Sequence, residues 1–257
     1  EILSEFFGGN GGGKFEILDK EQLADKEFIL DLYKRGADIN QLPLNKISKD
    51  LRSDREVVIA AVKQEPLQLK WAQKSLRADK EVVLAAIKDS GRALKYASEE
   101  LRADRELVLA AVQEYGSALQ YASEELRGDE EIVMTAIKTN ADALAFASDE
   151  CKGDREVVLA AIGEDPNALE YASDELRADK EVVMVAVGFD YLGEAFQYAS
   201  EELRADREVV LKAVKESGSN LQYASEEFRA DREVVLKAVK ESGWALEYAS
   251  KELQGDK

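Results

Sequence analysis

Apolar and polar positions recur along the chain with one period. The run Leu-Arg-x-Asp-basic-Glu-Val-Val places its aspartates at Asp54, Asp79, Asp104, Asp129, Asp154, Asp179, Asp206, Asp231 and Asp256, a step of 25 residues. Only the step from Asp179 to Asp206 differs; it is 27, so two residues are inserted there. Within one unit, Asp79-Lys80-Glu81-Val82-Val83-Leu84-Ala85-Ala86-Ile87-Lys88 predicts a helix with Asp at the N-cap, Glu in the first turn and Lys near the end. Its apolar residues cover nearly the whole circumference, so it must be buried on several sides, between the preceding and following units. A turn at Ser90-Gly91 leads into a shorter predicted helix, Ala93-Leu94-Lys95-Tyr96-Ala97, and then a Ser-capped turn, Ser98-Glu99-Glu100-Leu101. Leu94, Ala97 and Leu101 share one apolar stripe. A unit this short cannot fold alone, and stacking is obligatory.

The expected fold is therefore an all-α, right-handed α-solenoid of stacked helical hairpins. Three segments are expected: a Gly-rich linker over 1–14, a degenerate N-terminal capping repeat over 15–50, and the tandem array over 51–257. In the capping segment Leu23-Ala24-Asp25-Lys26-Glu27-Phe28 echoes the motif, while Lys34, Arg35, Asp38, Asn40 and Lys46 bring polarity to positions the array keeps apolar. The chain starts without Met and stops at Gly255-Asp256-Lys257, where another long helix is due, so it reads as a piece of a longer or processed chain.

Composition narrows the chemistry. With no His and one Cys, any mechanism needing an imidazole, a thiolate metal cluster or an internal disulfide is excluded. A net charge of −18 repels nucleic-acid phosphate and anionic headgroups, so the expected partner is a protein, a basic one or a member of a multi-subunit complex, with no nucleic acid. The longest apolar run, Val182 to Val187, is far too short to span a bilayer, and no direct membrane insertion is expected. The chain is expected to be soluble, with its compartment open.

Leu101-Arg102-Ala103-Asp104-Arg105-Glu106, Tyr121-Ala122-Ser123-Glu124-Glu125-Leu126 and their copies resemble the repeats of the domain of unknown function 4116 family. The resemblance spans the whole array and implies an architecture, not a reaction; it brings no functional residues and no cofactor. The family's algal members would make a plastid or other organellar complex one setting. Departures from the pattern are Cys151 in the Leu column, Lys152 and Gln254 in the Arg column, Glu130 in the basic column, and the insertion before Ala195.

Each chemical motif meets a plainer reading. Gly8-Gly9-Asn10-Gly11-Gly12-Gly13-Lys14-Phe15 has the Gly and Lys of a phosphate loop, but Phe15 stands where Ser or Thr should meet magnesium, and five glycines in six positions describe a linker. The acidic pairs, such as Glu99-Glu100 and Glu226-Glu227, repeat once per layer, whereas catalysis needs one carboxylate in a distinctive setting and calcium needs a preformed loop. Arg52, Arg77, Arg102, Arg127, Arg177, Arg204 and Arg229 each have Asp two residues on, which suggests an ion-pair ladder between layers and not a phosphate track. The aromatic column Trp71, Tyr96, Tyr121, Phe146, Tyr171, Tyr198, Tyr223 and Tyr248 reads as inter-repeat packing, with the hydroxyls on backbone carbonyls or water. Cys151 reads as a small buried hydrophobe.

What remains is the variation between turns. Tyr115, Trp244 and the inserted Phe189, Tyr191 and Leu192 put bulky apolar groups where Ser, Asn or Gly would serve, and these five are the candidate partner-binding residues. The inserted three could instead fold back over the packing defect they create. The expectation is a non-catalytic scaffold or accessory subunit, with no enzyme activity, no catalytic residues, no metal and no cofactor. The alternative is a regulatory or substrate-targeting segment of a larger enzyme whose catalytic part lies outside this chain.

Overall fold

The computed structural model describes residues 18–36, 42–190 and 193–255; the Gly-rich linker, Tyr191 and Leu192 lie outside them. The chain divides into two compact units, Glu1–Leu126 and Arg127–Lys257. Nothing in the sequence announces this division, because the period runs through Leu126 without a shift in composition. Each unit is an all-α repeat solenoid, and the described residues contain no strand.

The long helices are α1 (Lys26–Lys34), α2 (Arg55–Gln64), α3 (Lys80–Ile87) and α4 (Arg105–Glu114) in the first unit. The second holds α5 (Glu130–Thr139), α6 (Arg155–Glu164), α7 (Lys180–Phe189), α8 (Arg207–Glu216) and α9 (Arg232–Glu241). Each starts as the sequence predicts. The Asp79 side chain accepts from the Glu81 and Val82 amides at 3.0 and 3.1 Å, and Asp206 from those of Glu208 and Val209 at 2.9 and 3.1 Å. Val82, Val83, Ala86 and Ile87 of α3 are fully buried, while Leu84 and Ala85 are half-exposed, so the helix is sandwiched on three sides and open on the fourth. That open side makes a groove of about 590 Å³ along α2 and α3, floored by Ile59, Leu84 and Ala85 and edged by Lys63 and Lys88.

The shorter helix expected over Ala93–Ala97 is present and is of the 3-10 type, Gly91–Tyr96, and the same element recurs over Pro66–Trp71, Gly116–Tyr121, Ala141–Phe146, Pro166–Tyr171, Gly218–Tyr223 and Gly243–Tyr248. Three residues per turn align Ala93 with Tyr96 and Leu94 with Ala97, so Ala93, Leu94 and Ala97 reach the core while Tyr96 lies half-buried beside them. Ala93 and Leu94 are fully buried. The turn glycine also has another reason. A Cβ on Gly91 would stand 2.1 Å from the Ala111 carbonyl oxygen, and one on Gly218 would stand 2.3 Å from that of Ala238. Glycine serves there because the next repeat's backbone passes close by.

The third element closes the repeat as expected: Ser98 accepts from the Leu101 amide at 3.3 Å and caps a helical turn over Glu99–Arg102. Its backbone also sets the register. The Ser98 amide donates to the Arg77 carbonyl at 2.8 Å and Ser123 to Arg102 at 2.9 Å; in the second unit Ser173 donates to Lys152, Ser200 to Arg177 and Ser225 to Arg204 at 2.9–3.0 Å. Because the acceptor is main chain, Lys152 replaces Arg without loss.

The segment expected to cap the array keeps the Asp25-capped helix α1 and then departs from the repeat. The Ser48 amide reaches the Leu23 carbonyl at 2.9 Å, and buried Gln68 accepts from the Leu44 amide at 2.8 Å. The Tyr33 hydroxyl donates to the Leu42 carbonyl at 3.1 Å, and burial pushes that phenol's pKa well up.

Candidate functional site

The repeats present three kinds of surface. Along the starts of the long helices runs an ion-pair ladder, but its cation differs from the expected one. The basic residue after each N-cap Asp bridges to the Asp and Glu of the following repeat. Lys80 pairs with Asp104 and Glu106 at 2.8 Å each; Arg155 with Asp179 and Glu181 at 2.6 Å each; Lys180 with Asp206 and Glu208 at 2.9 and 2.8 Å. Arg207 repeats the pattern with Asp231 and Glu233 at 2.8 and 2.6 Å, and Arg55 with Asp79 and Glu81. Helix geometry explains the choice: the residue after the N-cap points out over the next layer's helix start, whereas the Arg two positions before it ends the short helix. The Arg207 side chain, then the Val234 amide, hold Asp231 below the usual carboxylate range. At Asp206 burial pushes upward, but Lys180 and the Val209 amide outweigh it and the pKa again lies low. These pairs are partly exposed, each worth about 0–1 kcal/mol, and they fix register more than they stabilise.

The expected arginine ladder is thus replaced by a second surface of another kind. Nε of Arg52, Arg77, Arg102, Arg127, Arg177, Arg204 and Arg229 is buried and makes no hydrogen bond among the described residues. The guanidinium ends turn to their own short helices, Arg102 to Glu99 at 4.0 Å, Arg229 to Glu226 at 3.9 Å and Arg177 to Asp174. Those carboxylates are almost fully exposed, so these contacts are weak.

The third surface is the ridge of 3-10 helices, which carries the aromatic column. Its tyrosines are half-buried, as packing requires, but the hydroxyls do not all seek carbonyls. Tyr171 faces Asp142, and Tyr198 faces Glu170 of the preceding repeat; burial first, then those carboxylates, raise both phenol pKa values. In the first unit the rings carry cations from the same chain: the Lys70 ammonium lies 5.1 Å from the Trp71 ring centre, and Lys95 6.0 Å from that of Tyr96.

The five candidate binding residues are not gathered into one site. Tyr115 caps the end of α4, half-buried, with the Arg92 guanidinium 4.6 Å above its ring. Phe189 is the last residue of α7 and is 55% exposed. Trp244 is the second residue of the last 3-10 helix, Gly243–Tyr248, and is 83% exposed. Tyr191 and Leu192 lie outside the described residues. The residue that organises the insertion was not singled out from the sequence. Asp190 is buried and accepts from the Gly193 and Ala195 amides at 2.9 and 2.6 Å, with Gly193 at φ +77°. The Asp-x-x-Gly spacing was the available signal. Cys151 is buried, its Sγ 3.7 Å from the Gly128 carbonyl, as a structural thiol would be. No helix among the described residues is long and apolar enough to cross a membrane.

Neither the curated proteins nor the solved structures offer a match to this chain. A family profile, Domain of unknown function (DUF4116), matches residues 25–77, 64–102, 79–127, 104–152, 154–204, 179–229 and 206–254. These overlapping matches advance with the repeat and take in nearly all of α1 to α9. The chain belongs to the DUF4116 family.

Proposed function

We propose that this chain is a non-catalytic protein-interaction scaffold or accessory subunit, binding through a face of the repeat stack and its irregular turns. One observation supports the reading: among repeats whose columns barely vary, Phe189, a bulky departure at the end of α7, stands 55% exposed. Large aromatics held outward on a rigid scaffold are the usual anchors of protein interfaces. The acidic surface favours a partner that is basic or carries a basic segment.

The test has two parts. Native extract passed over the immobilised chain should yield a stoichiometric protein that is lost with Phe189→Ala combined with Trp244→Ala, and the purified chain should show no turnover of ATP or phosphoesters. Turnover abolished by Lys14→Ala would overturn the reading, as would capture indifferent to both aromatics.

A further inference from the structure

The 3-10 ridge changes sign along the chain. In the first unit the segments Pro66–Trp71, Gly91–Tyr96 and Gly116–Tyr121 contain Lys70, Arg92 and Lys95 and no acid. In the second, the segments Ala141–Phe146, Pro166–Tyr171, Ala195–Tyr198, Gly218–Tyr223 and Gly243–Tyr248 contain no lysine or arginine. They carry Asp142, Glu170 and Glu247 instead, with Glu194 just before Ala195. The positions that hold Lys70 and Lys95 in the first unit are Ala145, Glu170, Gln197, Gln222 and Glu247 in the second.

The first unit shows what these rings accept. Lys70 and Lys95 lie over Trp71 and Tyr96, and Arg92 over Tyr115. The second unit keeps the half-buried rings of Tyr171, Tyr198 and Tyr223, replaces the local cations by exposed carboxylates, and ends the ridge on exposed Trp244. The arginines bordering the ridge do not cancel this charge. Arg177 and Arg204 flank Tyr198, but each short helix brings two carboxylates per arginine, Asp174 and Glu175 against Arg177, Glu201 and Glu202 against Arg204.

We propose that the ridge of the second unit binds an extended basic segment of a partner protein, one lysine or arginine per repeat seated between a tyrosine ring and a neighbouring carboxylate. A cation there gains the ring face and a charged oxygen together. Stacked helical layers lie roughly 8–10 Å apart, and a segment in the polyproline II conformation advances about 3.1 Å per residue with three residues per turn, so a basic residue at every third position presents one cation per layer on a single face. The inference rests on the scaffold reading and adds the face and the partner's chemistry.

The test uses the full chain and a fluorescent 15-residue peptide with lysine at every third position among Gly and Ser, followed by anisotropy. Saturable one-to-one binding is expected, weakened about tenfold or more by Glu170→Gln, Glu194→Gln and Glu247→Gln together, because several weak contacts act in one segment. All three side chains are exposed, and an unchanged circular dichroism melt shows that the fold survives. Neutralising Glu99, Glu100 and Glu124 to Gln, which lie in the short turns of the first unit and not on the ridge, should change affinity less than about twofold, the effect expected of screened charge without direct contact. A peptide of equal charge with its lysines in one block should bind several-fold more weakly. No binding, equal loss with both triple variants, or equal affinity for the blocked peptide would each overturn the ridge. Failure here, with capture of the natural partner still dependent on Phe189 and Trp244, would leave the scaffold reading standing; turnover dependent on Lys14 would remove that reading whatever the peptide does.

Discussion

A methyl group added at Gly218 should destabilise the protein, and the same change one repeat later should not. The Cβ at Gly218 would lie 2.3 Å from the Ala238 carbonyl oxygen and 3.0 Å from both the Ser242 Cβ and the Ser242 amide nitrogen. A backbone oxygen held by helix α9 cannot rotate aside, so the two layers must part by several tenths of an ångström. Ala141 occupies this column in another repeat, so a layer can be built around a methyl, and the cost is that of re-spacing a tighter one. Overpacking of this kind costs about 1–3 kcal/mol, and the lower entropy of the unfolded alanine chain returns about 0.4–1. The net loss is about 1–2 kcal/mol, which lowers the urea midpoint by about 0.5–1 M for a slope near 2 kcal/mol/M. At Gly243 nothing lies within 4 Å of the added Cβ and φ is not positive, so alanine there should leave the midpoint unchanged or raise it slightly. Urea unfolding of both variants, followed by circular dichroism at 222 nm, decides the matter. Equal effects at the two positions would refute the claim that interlayer backbone approach, and not turn conformation, selects glycine in this column.

Asp206→Ala removes the cap over the Glu208 and Val209 amides and the Lys180 rung, and should cost about 1–2 kcal/mol; Asp206→Asn, which keeps a capping oxygen, should cost less than half as much, both read by urea titration. Asp54, Asp79, Asp104, Asp206 and Asp231 have folded pKa values below their ordinary 3.8. Their stabilisation is therefore complete above the unfolded value and lost as pH falls through the folded ones. Melting temperature should be flat from about pH 7 to 5 and fall below about pH 4, with the fall reduced in a variant carrying several Asp→Asn caps. Asp190→Ala leaves the Ala195 amide without its acceptor and the Gly193 amide with only the main-chain carbonyl of residue 190, and should lower stability by about 1–3 kcal/mol in the same titration.

The period, the Asp and Ser caps and the apolar columns were legible in the sequence because each depends on neighbours a few residues away. Asp79 caps the helix that Val82 and Val83 bury, and nothing beyond the repeat is needed to see it. Features that depend on the facing layer were not legible. The ladder uses Lys80 and Lys180 instead of Arg77 and Arg177, since only the stack shows which side chain overhangs the next helix start. The glycine of the Ser-Gly turn answers to a carbonyl twenty residues on. The 3-10 form of Gly91–Tyr96 follows from the need to bury both Ala93 and Leu94 in two turns. Among the candidate binding residues, sequence variation alone could not separate Tyr115, which lies half-buried under Arg92, from Phe189 and Trp244, which stand free.

The scaffold account is tested most directly by site-specific photo-cross-linking. Benzoylphenylalanine placed at Phe189, Trp244, Glu156 and Glu106 in turn reports which surface a bound protein covers in native extract. The account predicts one adduct of defined mass from positions 189 and 244 and none from Glu156 or Glu106 in the first turns of long helices. Adducts from all four positions alike, or from the two glutamate positions alone, would contradict it.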